Sequence, residues 1–162
     1  MLGQDRRDRR HERPNLRIFV IWLVLGAIFL AIGMPRILQG QFPDPDDALR
    51  LVQVRDLLGG QSWFDLHQYR INAPAGTLMH WSRLVDIPLA LAIMLLTPFV
   101  GASSAESAAL IIVPLLTLGL TLLVVGRLAW RLFDNEVAGI ACLSIGLLAP
   151  LVFQLQPMRI DH

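Results

Sequence analysis

Apolar residues in this chain fall into long unbroken runs separated by polar stretches. Ile18–Met34 is wholly apolar and is followed by Pro35 and Arg36. At 1.5 Å per residue it covers roughly 25 Å, enough to cross a bilayer with its flanks. Residues 108–126, with Pro114 inside, form a second such run, and residues 137–155 a third. No charge interrupts any of the three, and the link at 127–136 carries Arg127 and Arg131. The run Ile87–Val100 is shorter, contains Pro88 and Pro98, and falls below spanning length. The pattern predicts an all-α, polytopic integral membrane protein with spans at 18–34, 108–126 and 137–155.

Residues 35–107 then form one long loop with structure of its own. Asp44 suits an N-cap, Pro45 the first helical position, and Asp46 and Asp47 the first turn, where the helix dipole favours negative charge. Leu51, Val54 and Leu58 recur on one face, and Gly59–Gly60 stops the helix. A surface helix is predicted at 46–58 and a second interfacial helix at 82–100. Trp63, Phe64, Tyr69 and Trp81 suit the headgroup region, and 72–76 reads as a turn.

Composition agrees with a membrane protein. The chain is 54% hydrophobic with a mean hydropathy of +0.54. Its net charge of +1 hides an asymmetry, because Arg6, Arg7, Arg9, Arg10, Arg13 and Arg17 crowd the start. Residues 1–17 therefore read as a cytoplasmic basic tail. A basic start before an apolar stretch also describes a signal peptide, but the run is long and lacks a clear cleavage site. The tail has no interleaved aromatics, which argues against a nucleic-acid partner. Cys142 is the only cysteine, so no internal disulfide can form.

Parity decides the short run. If 87–100 crosses, Arg127 and Arg131 lie outside. If it lies in the interface they are cytoplasmic, as the positive-inside bias prefers. The residues after 155 then open a second outer loop, at 156–162, on the same face as Asp44, Asp46 and Asp47.

Carboxylates on two outer loops suit a hard divalent cation, Mg²⁺ or Mn²⁺, bridging a phosphate. The candidate ligands are Asp44, Asp46, Asp161 and His162. Local spacing alone also explains Asp44–Asp47 as a capped helix start. His67 and His80 lack ligand spacing. Arg70, Arg83 and Arg159 are candidates for phosphate, or for pairing with nearby carboxylates or lipid headgroups, and Asp56 for a structural contact.

The order of these features resembles the start of a GT-C type membrane glycosyltransferase, in particular bacterial oligosaccharyltransferase catalytic subunits and related transferases using polyprenyl-linked donors. The carrying stretch is Asp46 to Gly60, where an aspartate opens a surface helix closed by Arg55–Asp56 and glycine. The resemblance implies a catalytic Asp46, with Asp44 a near alternative, and Asp161 as a second-loop metal ligand. It implies transfer of a sugar from a polyprenyl-phosphate carrier to an acceptor at the outer face of a bacterial inner membrane. Membrane lipid and the lipid-linked donor are then the partners. The second loop there carries two acidic residues spaced by one, whereas His162 follows Asp161 here. The 162 residues are expected to be the N-terminal part of a longer protein and inactive alone. The other reading is a non-enzymatic transporter segment or assembly subunit with an acidic cation-binding loop.

Overall fold

The computed structural model describes residues 14–160. The predicted tail up to residue 13 and the predicted ligands Asp161 and His162 lie outside them. The chain is mostly helical: α1 (Pro14–Gln39), α2 (Pro45–Leu58), α3 (Asp86–Val100), α4 (Ala102–Leu132), α5 (Asn135–Leu147) and α6 (Ala149–Gln154). A 3-10 turn, Arg83–Val85, leads into α3. Against the all-α expectation, two short strands pair: β1 (His67–Gln68) and β2 (Thr77–Leu78) are antiparallel, with His67 opposite Leu78. Two compact units result, one from residues 14–39 and 114–157, the other from 40–113 and 158–160.

Three helices are long and apolar enough to cross a membrane: Pro14–Gln39, Arg83–Val100 counted with its 3-10 turn, and Ala102–Leu132. The first runs past Pro35, which forfeits only the one bond its missing N–H would make to Ala31. It stops at Gly40, whose φ of +62° suits a residue without Cβ. The predicted third span is not one helix. Leu148 leaves helical geometry with ψ of 105°. Pro150 explains the break, since it has no N–H for the carbonyl of Gly146 and its ring would clash there.

In the first unit the register of the helices can be read from their close approaches. Along α1, Ile18 meets Gly126 of α4, Trp22 meets Gly119, and Gly26 meets Leu115. One numbering falls as the other rises, so α1 and α4 are antiparallel. Arg17 meets Gly139 of α5, Leu25 meets Gly146, and Gly33 meets Pro157 beyond α6. These numbers rise together, so α5 and α6 follow α1 in parallel along nearly its whole length. A methyl group at Gly146 would sit 2.6 Å from Leu25 Cδ2. Small residues thus let backbones approach, as in membrane helix pairs.

Ile18, Ile21, Leu25, Phe29, Leu118, Leu122, Cys142 and Ile145 fill the centre of this unit. The Trp22 indole N–H, facing an apolar interior, donates to Leu115 O at 2.8 Å. Arg36 Nη1 reaches Gln156 Oε1 at 3.2 Å, near the far end of the parallel pair. On the outside, Leu23, Ile32, Leu120, Val124 and Ile140 are exposed. A helix apolar on all sides suits lipid better than water.

The second unit packs α2 on α3. Its core combines Leu51, Val54, Trp81, Leu89 and Ile93 with buried charge. Arg50 Nη1 pairs with Asp86 Oδ1 at 3.0 Å, and both are buried. The Arg50 guanidinium lies 5.0 Å from the centre of the Trp81 ring. Arg83 donates to Asp65 O at 2.7 Å, Gln53 O at 3.2 Å and Gln61 Oε1 at 3.2 Å. Its two terminal nitrogens tie α2 to the loop after it, so this candidate for phosphate is engaged internally.

Candidate functional site

Helix α2 begins where the sequence places an N-cap. Asp44 is extended, with φ −141° and ψ 145°, and its Oδ1 accepts from the backbone N–H of Asp46 at 3.0 Å. Pro45 follows at the first helical position. The three carboxylates then diverge, because successive residues on a helix point about 100° apart. Asp47 turns inward and is 0% exposed. Asp46 turns outward and is exposed. Its carboxylate makes no hydrogen bond or ion pair with the described residues. Asp44 is half-buried.

Asp47 meets the far end of the chain. Its Oδ1 accepts from the backbone N–H of Ile160 at 2.7 Å, and its Oδ2 from Arg159 Nη1 at 3.0 Å. The same Arg159 nitrogen is 3.4 Å from Asp44 Oδ2. Both partners of the Arg159–Asp47 pair are buried, so each charge needs a counter-charge close by. Asp44 is thus occupied on both oxygens, by a capping bond and by a guanidinium. Asp46 alone among the three presents a carboxylate to a ligand.

The predicted metal set spans described and undescribed residues. Asp44 and Asp46 are described, whereas Asp161 and His162 lie one and two residues beyond Ile160, outside the described residues. Among the described residues, no three His, Cys, Asp or Glu side chains come together.

The other end of α2 has a different character. Asp56 and Arg70 make a two-bonded pair, at 2.5 Å and 2.9 Å. Arg70 holds the Asp56 carboxyl below its ordinary range. Arg55 makes a similar pair with Glu106, at 2.8 Å and 2.6 Å. Asp65 accepts from the His67 backbone N–H at 3.1 Å, lies 2.9 Å from His67 Nδ1, and accepts from the Tyr69 hydroxyl at 2.9 Å. These bonds, led by the one from the His67 backbone, push its pKa down to about 2. A surface hollow of about 490 Å³ lies among Arg55, Asp56, Gln61, Tyr69 and Arg70. Each of its charged walls is already paired, so Arg70 and Asp56 serve structure.

Sequence reasoning missed three of these partners. Asp86 had a signal, the i,i+3 spacing from Arg83 at a helix start. Asp65 had a weaker one, an Asp two residues before His67 in a turn. Glu106 had none. Neither the chain nor its structure has a match among protein-family models, curated proteins or solved structures.

Proposed function

We propose that the chain belongs to a membrane glycosyltransferase that moves a sugar from a polyprenyl-phosphate-linked donor to an acceptor at the outer face of the bacterial inner membrane. The observation that carries this reading is the pair of bonds from Arg159 and Ile160 to Asp47. They hold the last described residues against the start of α2, beside the exposed Asp46. Asp161, outside the described residues, follows Ile160 in the sequence.

The same bonds support a topology. Residues 47 and 159 share one side of the membrane, so the number of crossings between them is even. α4 antiparallel to α1, and α5–α6 parallel to it, supply two crossings. A crossing by Arg83–Val100 would make three. By this count α3 lies along the outer surface, although it is long enough to cross. Cysteine labelling near Asp46 and near Arg159 should find both accessible from outside, and opposite accessibility sinks the topology.

In this mechanism Asp46 is the working carboxylate. It orients or deprotonates the acceptor, or contributes an oxygen ligand to Mg²⁺ or Mn²⁺, with Asp161 and His162 completing the set from the second loop. Asp44, bonded on both oxygens, supports the site only through the helix start. Two carboxylates fit such a hard cation, which ordinarily takes its remaining oxygens from water and substrate phosphate. When bound, the metal would offset the charge that develops on the departing phosphate. Asp44 fixes the helix start that aims Asp46, and Asp47 fixes the second loop. The deciding experiment is Asp46→Ala in the full-length protein, assayed for transfer from a polyprenyl-linked donor with and without Mn²⁺. Unchanged turnover removes Asp46 from catalysis.

A further inference from the structure

We propose that Pro114, buried in the middle of α4, is a positioning residue for the Met158–Ile160 segment. It acts through a backbone carbonyl that it leaves open. In an unbroken helix the N–H of residue 114 would bond to Leu110 O. Proline has no N–H, so Leu110 O loses that helical partner. The backbone N–H of Met158 takes the place and donates to Leu110 O at 2.9 Å. Leu110, Pro114, Met158 and Ile160 are all buried, so neither group at this bond has water to fall back on.

Two further observations agree. Met158 has φ of +71°, a left-handed conformation that a residue with Cβ adopts only when its surroundings impose it. Two residues on, Ile160 N–H is taken by Asp47 Oδ1. The segment is therefore fixed at both ends. Asp47 and Asp44 hold it only from Arg159 onward. Pro114 supplies the second point, at the cost of one helical bond in α4. The clamp stands on these bonds by itself. What it serves, the placement of a second-loop ligand beside Asp46, rests on the function proposed above.

Hydrogen exchange on the purified full-length protein in lipid nanodiscs tests it. In Pro114→Ala the restored N–H competes for Leu110 O. The amides of residues 158–160 should exchange about tenfold faster, while the turn of α4 after residue 114 exchanges no faster than before. Faster exchange at both places would mean general loosening and overturn the proposal, as would unchanged exchange at 158–160.

Should Pro114→Ala fail to fold, Met158 decides. Met158→Val places a β-branched side chain in the left-handed region and should loosen the segment, whereas Met158→Leu should not. Equal protection in these two overturns the clamp. Sugar transfer separates the clamp from the function. If Pro114→Ala loosens the segment but Asp46→Ala transfers normally, the clamp stands and the transferase reading falls. If Asp46→Ala is inactive and Pro114→Ala leaves the segment protected, the reverse holds.

Discussion

The two ends of α2 carry similar residues and arrange them in opposite ways. At the C-terminal end, Asp56, Arg70, Arg55 and Glu106 neutralise one another in two-bonded pairs near the surface. At the N-terminal end, one carboxylate is buried and locked, one is a cap, and one is exposed with no partner among the described residues. Paired surface charges contribute little and do little chemistry. A carboxylate left open next to a rigid lock is available for chemistry, because its neighbours rather than itself hold the structure. Charge density does not distinguish the two ends; their partners do.

The largest test of this contrast is Asp47→Ala. It removes the buried carboxylate that Arg159 and the Ile160 N–H share and leaves Arg159 beside the half-buried Asp44, at a cost of up to about 3–5 kcal/mol. The unfolding midpoint in detergent should fall steeply, and Asp47→Asn, which keeps an acceptor for Ile160, should fall less. A wild-type midpoint for Asp47→Ala would dissolve the distinction between lock and free acid. Next comes Asp46→Ala. Its side chain bonds to nothing described, so stability should stay within about 0.5 kcal/mol. Under the proposed function, sugar transfer should meanwhile drop by about 10²-fold or more, the scale of a lost general base. A stability loss matching that of Asp47→Ala would make Asp46 a second structural residue.

Smaller effects belong to the other end. Arg70→Ala removes an exposed pair and should cost no more than about 1 kcal/mol in thermal unfolding. The smallest is a pH effect. The Asp65 pKa is lowered from 3.8 to about 2 in the folded protein. A depressed carboxyl stabilises the fold above its unfolded pKa and loses that contribution as pH falls through the folded one. Exchange protection around 65–70 should therefore weaken between about pH 4 and pH 2, and Asp65→Asn should abolish that step. A step at neutral pH instead would point to a different group.

The start of α2 was legible because capping is local. Asp44, Pro45 and two acidic residues in a row mark a helix N-terminus within four positions. The apolar runs were legible because each is continuous, and their pairing in the structure uses glycines visible in sequence but uninformative without a partner. The break at Leu148 follows from Pro150, a local signal outweighed by the apolar run around it. The turn at 72–76 was legible, but the strands β1 and β2 on either side of it were not, since strands of two residues have no period to detect. Asp47 was the hardest to read. A carboxylate in a first helical turn is ordinarily solvated, and nothing near it announces burial. Its partners lie 112 and 113 residues away.

That separation also orders events during synthesis. Asp47 leaves the ribosome 112 residues before Arg159. At about 5–20 residues per second, the interval is roughly 6–22 seconds. Throughout it, Asp47 lacks the two bonds it makes to Arg159 and Ile160. Only after the apolar segments of α4, α5 and α6 have all been made does the counter-charge arrive. The Asp47–Arg159 bond can therefore close only after every residue between them has been made.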